Sequence, residues 1–169
     1  DGTTTHRNTP AAVVGAGASG VVAIAGGGDS SLFLKANGSV WAVGFNGFGN
    51  LGDGTSTNRT TPVAVIGAGA SGVVAVAAAG HHCFILKDDG ALWGFGYNPT
   101  GALGDGTTNN SATPVAVTGA GTSEVIAVAA GGNHCLFVKT DGSLWAIGYN
   151  AFGELGDGTS TDSAIPVAV

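Results

Sequence analysis

Two cysteines, four histidines and eleven acidic residues are among the groups in this sequence able to ligate a metal, attack a substrate or move a proton. His81, His82 and Cys83 are contiguous, and His134-Cys135 repeats the last two of them 52 positions later, so zinc is the first chemistry to weigh. Neighbouring residues on an extended chain point to opposite faces, and neither Cys-x-x-Cys nor His-x-x-x-His spacing occurs. Small buried thiols therefore account for Cys83 and Cys135 better than a metal site or a reactive thiol. A disulfide would need Cα atoms within about 7 Å, closer than equivalent positions of neighbouring repeat units are expected to lie. Asp53, Asp105 and Asp157 are candidate carboxylates for acid–base work or calcium, each inside Leu-Gly-Asp-Gly-Thr. A catalytic group is needed once, whereas these recur with the period, which points to side-chain capping of a turn.

Gly15-x-Gly17-x-x-Gly20 and Gly67-x-Gly69-x-x-Gly72 match a dinucleotide-binding fingerprint. That motif requires a following helix whose N-terminus faces the pyrophosphate. Here a β-branched run follows, and Glu124 replaces the last glycine in the third occurrence, so a connecting loop is expected. Lys35, Lys87 and Lys139 recur and should end strands at the surface. Asn37-Gly-Ser, Asn58-Arg-Thr and Asn109-Asn-Ser are weak glycosylation signals in a chain this rich in Ser, Thr and Asn. No catalytic residue, cofactor or metal is expected, and the chain reads as a non-enzyme.

The elements that must hold these groups repeat. Trp41, Trp93 and Trp145 stand 52 residues apart, and Asp-Gly-Thr, Pro and Lys keep the same period; residues 66–117 and 118–169 share 32 of 52 positions. Such periodicity is read before anything else. It divides the chain into 1–13, the outer-strand tail of a preceding repeat, and repeats 14–65, 66–117 and 118–169. In the first repeat, short apolar runs at 21–25, 32–35, 40–43 and 63–65 alternate with Gly, Asn, Asp and Ser, the mark of strands and turns. Asn37-Gly38, Asp89-Gly90 and Asp141-Gly142 suit tight hairpins. Helical periodicity is absent. The fold class is all-β: four antiparallel strands per repeat, repeated as β-propeller blades, with one extra N-terminal outer strand, since residues 1–13 match 53–65 at nine positions.

The stretches 91–107 and 143–159, ALWGFGYNPTGALGDGT and SLWAIGYNAFGELGDGT, together with the Pro-Val elements, resemble regulator of chromosome condensation repeats over essentially the whole chain. The resemblance implies a propeller, seven-bladed in most members. It implies a structural role for His82 and His134, where Ser30 stands in the first repeat. Precedents in that family include nucleotide exchange on a small GTPase, inhibition of β-lactamases and plant ultraviolet perception. The photoreceptor's Gly-Trp-Arg-His-Thr segments are absent, the matching places reading Gly28-Asp29-Ser30-Ser31, Gly80-His81-His82-Cys83 and Gly132-Asn133-His134-Cys135.

A net charge of −6 with only five Lys and Arg weighs against nucleic acid, which needs clustered cations. Charged residues make up 9% of the chain, yet the mean hydropathy is +0.33, so apolar surface must be buried rather than left disordered. No stretch is long and apolar enough for a membrane span. Near-identical units and low charge favour a secreted or surface setting, with a spacer or adhesin segment as the alternative function. Propellers close with about four to eight blades, and three form an incomplete ring with an apolar face at each end. Copies completing a ring as a homo-oligomer, or the remainder of a longer parent chain, are the expected partners. One outer segment, 1–13 or 157–169, should be displaced in a closed assembly.

What recurs builds the blade; what differs between units is free to recognise something. The differences cluster at Asp29, His81 and Asn133, at Phe48 with Asn50, Thr100, and Phe152 with Glu154, and in the Thr-rich stretches carrying Arg7, Arg59, Asn110 and Asp162. Exposed Phe48 and Phe152 would suit an interface, where aromatic anchors carry binding energy. The expected function is a scaffold that binds another protein through these loops.

Overall fold

A computed structural model describes residues 1–169, the side chain of Ala68 excepted. Three four-stranded antiparallel sheets follow one another along the chain, each pairing its strands in sequence order. The first contains β1 (Val21–Gly26), β2 (Ser30–Lys35), β3 (Val40–Gly44) and β4 (Arg59–Ala64). The second contains β5 (Val73–Ala79), β6 (His82–Lys87), β7 (Leu92–Gly96) and β8 (Ser111–Ala116). The third contains β9 (Val125–Ala130), β10 (His134–Lys139), β11 (Leu144–Gly148) and β12 (Ser163–Ala168). The three sheets do not close a ring.

Local chemistry explains the hairpins. Gly38 N donates to Lys35 O at 2.9 Å, Lys35 N to Ser39 O at 2.9 Å, and Gly38 alone of the loop has positive φ, at 75°. This is a three-residue hairpin with glycine in the left-handed position, and Asn37 Oδ1 caps it by accepting from Ser39 N at 3.1 Å. The outer strands begin earlier than the apolar runs suggest, because β4 opens at Arg59 inside the Thr-rich stretch. The recurring Gly-x-Gly has a packing role: a Cβ on Gly17 would strike Trp41 and Pro62, one on Gly69 Trp93 and Pro114, and one on Gly121 Trp145. Strand β1 follows the first motif and β5 the second, so neither loop leads into the helix that a pyrophosphate cradle needs.

Consecutive side chains on the second strand of each sheet face opposite ways, and the core therefore lies between sheets. Leu32, Leu34, Val40 and Ala42 of the first sheet meet Cys83, Ile85 and Phe95 of the second. Phe84, Leu86 and Leu92 then meet Cys135, Phe137 and Ile147 of the third. The middle strand β6 is buried on both sides, whereas β2 and β10 alternate buried and half-buried positions in opposite phase. Each sheet thus has a forward face and a backward face, and two forward-to-backward seams hold the molecule together.

Residues 1–13 depart from expectation. They form no strand, because the third strand that an outer strand pairs with would have to precede them. They nonetheless fold the same turn as their copies: Thr3 N donates to Asp1 Oδ1 at 2.9 Å, and Arg7 pairs with Asp1. Residues 157–169, by contrast, contain a paired strand, β12.

Candidate functional site

The loop between the first and second strands and the loop between the third and fourth strands share one rim of each sheet. Phe45 N donates to Asp29 O at 2.9 Å, Tyr97 N to His81 O at 3.0 Å, and Tyr149 N to Asn133 O at 2.9 Å. The variable loop positions around Asp29, His81 and Asn133 and around Phe48, Thr100 and Phe152 are therefore brought to one side of the molecule.

A buried asparagine organises each long rim loop. Asn46, Asn98 and Asn150 are fully buried. Asn46 Oδ1 accepts from Leu51 N at 2.9 Å, while its Nδ2 donates to Asp53 Oδ1 at 3.0 Å, Thr55 O at 3.0 Å and Thr57 O at 3.1 Å. The backbone N of the same residue donates to Asn58 Oδ1 at 2.8 Å, and Asn110 and Asp162 accept equivalently from Asn98 and Asn150. Asp53, Asp105 and Asp157 each cap their turn by accepting from the amide two residues on, Thr55, Thr107 and Thr159. Arg59 adds a two-pronged pair to Asp53, Nη2 to Oδ2 at 2.7 Å, with the Asp53 side chain only 2% exposed. Burial works against the Asp53 anion, but the Thr55 hydroxyl, Arg59, the Thr55 amide and Asn46 outweigh it and hold its pKa below the usual carboxylate range. Asp157 is likewise held low, first by the Thr159 amide and then by its hydroxyl. These carboxylates are committed to loop architecture.

The variable residues divide by environment. Phe48 is not freely exposed: its ring packs 4.7 Å from Tyr97, 5.4 Å from His81 and 5.6 Å from Phe45, spanning the first seam. Asn50 is fully buried, with Nδ2 donating to Phe45 O at 2.6 Å. It lies beneath the rim because its loop turns inward to meet the neighbouring sheet. Thr100 is half-buried and its hydroxyl donates to Asn133 O across the second seam at 3.3 Å. Asp29 and Asn133 are exposed, and His81 is half-buried. Phe152 is 89% exposed, 6.3 Å from Tyr149, with its amide donating to Glu154 Oε2 at 2.9 Å. The rim therefore carries Phe45, Phe48, His81 and Tyr97 as one cluster, with Tyr149 and Phe152 as a second. A groove of about 560 Å³ beside Phe48 is lined by Gly49, Thr55, Thr57, Asn110 and Ala112, groups suited to hydrogen bonding and packing.

Among the described residues, no three His, Cys, Asp or Glu side chains converge as a metal would require. Cys83 and Cys135 are free and buried, and burial raises both thiols, Cys83 to about 12. His82 is almost fully buried against Phe84, and burial lowers its pKa to about 4, so it is a neutral core residue. Lys35 and Lys87 end their strands with Nζ over Trp41 at 5.3 Å and Trp93 at 5.9 Å, a cation–π arrangement.

Sequence reasoning missed the asparagine hub and the role of Phe45, Tyr97 and Tyr149. Their recurrence was visible, but recurrence alone does not separate a buried hub from an exposed turn.

The regulator of chromosome condensation (RCC1) repeat matches residues 37–86 and 89–138, and a second description of that repeat matches residues 21–50 and 125–154. The chain belongs to the RCC1 repeat family. Among its RCC1-repeat relatives is the ultraviolet-B receptor UVR8 of Arabidopsis thaliana, 29% identical over 86% of this chain and 33% of the receptor. The E3 ubiquitin-protein ligase HERC2 of Homo sapiens is 33% identical over 85% of this chain and 3% of the ligase. The solved structure of Prp20p from Saccharomyces cerevisiae, described with its binding properties to Gsp1p and histones, superposes with a TM-score of 0.80 at 22% identity, over 90% of this chain and 39% of that one. The chain thus spans a third or less of the length of these two curated relatives. The RCC1 propeller neighbours establish the fold of the three blades.

Proposed function

We propose that this RCC1-repeat chain is a non-enzymatic scaffold that binds another protein through its variable rim. The observation that carries the reading is the gathering of aromatic side chains at that rim: Phe45, Phe48, His81 and Tyr97 in one cluster, and a largely bare Phe152 beside Tyr149. The strands and asparagine hubs fix these rings on rigid loops, so little ordering entropy opposes binding. The acidic balance, −6 overall, selects a protein partner over a polyanion. Prp20p, with its binding properties to Gsp1p and histones, supplies the precedent.

The test is affinity capture from the source cell with the unmodified chain and with a Phe48→Ala, Phe152→Ala double variant as baits. At least one protein should be retained by the first and lost by the second. For a purified partner, Phe152→Ala alone should weaken binding by about 2 kcal/mol, the lower bound for an anchor residue. Equal recovery on both baits would refute the rim assignment and leave a spacer or adhesin segment as the better reading.

A further inference from the structure

We propose that the groove beside Phe48, at the rim of the seam between the first and second blades, binds a neutral oligosaccharide. Both of its walls come from within the chain: the loop between β3 and β4 forms one, and Asn110 and Ala112 form the other. At about 560 Å³ the groove falls within the range of about 300–1,000 Å³ that small-molecule sites occupy.

Its chemistry narrows the ligand class. None of the five Lys and Arg residues lines it, so a phosphate, sulfate or carboxylate would find no counter-charge. No carboxylate lines it either, since Asp53 is only 2% exposed and held by Arg59. A peptide strand needs free main-chain donors and acceptors in register. Here Gly54 N donates to Ala112 O at 2.9 Å across the seam, and Thr57 O accepts from Asn46. What remains is uncharged and on side chains. Ser56, Thr57 and Asn110 are exposed, and among the described residues the two hydroxyls and Asn110 Nδ2 have no partner. Beside them the Phe48 ring is braced by Tyr97 at 4.7 Å and His81 at 5.4 Å. The electron-rich face of such a ring attracts weakly positive C–H groups, and a ring fixed beforehand loses little freedom on binding. Neutral donors and acceptors next to an aromatic wall are the counterparts of a sugar, whose hydroxyls flank apolar C–H faces.

The second seam shows that blade architecture demands neither key group. Thr100 stands where Phe48 does, and Asp162 where Asn110 does. Asp162 Oδ1 accepts from Asn150 N at 2.8 Å, as Asn110 Oδ1 accepts from Asn98 N at 2.8 Å. Either residue type builds the loop, and only asparagine adds a donor. The first seam combines that donor with the ring.

Amide NMR of the unmodified chain, titrated with free tetrasaccharides of glucose, mannose, galactose and N-acetylglucosamine, tests this. At least one sugar should give saturable shifts confined to Gly49, Gly54, Ser56, Thr57 and Asn110, with a dissociation constant of about 1 mM or tighter. Asn110→Asp and Phe48→Thr, residue types that the other seam accepts, should each weaken that binding at least about tenfold. Thr108→Ala, at the second seam, should leave it unchanged. A sulfated form of the same sugar should bind more weakly than the neutral one. The inference goes beyond protein binding at the rim, and Asn110 belongs to neither aromatic cluster, so Asn110→Asp should lose the sugar and retain any captured protein. No shift with any of the sugars at ten times that concentration would overturn the proposal. Shifts outside the groove, undiminished binding by both variants, or equal binding of the sulfated sugar would overturn it too.

Discussion

At the scale of single residues, Glu124 and His82 carry the clearest energetic signatures. Glu124 has φ 62°, where Gly20 and Gly72 have 68° and 66° in the equivalent places. A side chain in the left-handed region costs roughly 1–2 kcal/mol, partly offset by the freedom a glycine gains in the unfolded chain. Glu124→Gly should therefore raise stability by about 1 kcal/mol, seen as a higher urea midpoint at unchanged slope. His82 tests the pH dependence. Its folded pKa, near 4, lies below the ordinary 6.5, so the unfolded chain binds the proton first as pH falls. Stability is complete above pH 6.5 and declines towards pH 4, by up to about 3 kcal/mol at 1.36 kcal/mol per unit. His82→Ser, the residue type that Ser30 places in the first blade, should abolish that decline in a urea series across pH 4–7. An unchanged slope would show that His82 is protonated in the folded chain.

At the scale of the element, the rim loop is held by its asparagine more than by its aspartate. Asn98 satisfies Leu103 N, Thr107 O and Asn109 O from within the protein, and an unsatisfied buried group costs about 1–3 kcal/mol. Asn98→Ala should cost at least about 3 kcal/mol in chemical denaturation. Asn98→Asp should cost as much, since a carboxylate cannot donate to the two carbonyls and faces Asp105. Asp105→Ala, which removes one exposed cap, should cost about 1 kcal/mol. The comparison also shows what the sequence makes legible. Strand number, order and hairpin positions follow from the 52-residue period, because alternation and turn glycines act locally. The hub does not, since Asn46 and Asp53 recur equally and only the path of the loop decides which of them bridges its two ends. Phe48 is half-buried and Asn50 fully buried for the same reason: a loop residue next to a seam is covered by the following repeat, and a single unit does not reveal its neighbour. The tail reads as a strand by composition, yet a strand needs an edge to pair with.

At the scale of the whole molecule, stability resides in the two seams, and equivalent substitutions should differ according to what covers them. In repeat proteins each unit contacts only its neighbours, so stability is a sum of unit and interface terms. Leu92 is 2% exposed and packed with Phe84, Leu86, Phe137 and Ile147 in the second seam. Leu144 is its counterpart 52 residues on, on an end face, at 38% exposure. Leu92→Ala should cost about 2–5 kcal/mol, as truncations within a packed core do. Leu144→Ala removes the same atoms from half-open surface and should cost less than half as much. Urea titrations of both variants read this directly. A Leu144→Ala cost equal to that of Leu92→Ala would mean that exposure at this position does not set the energetics.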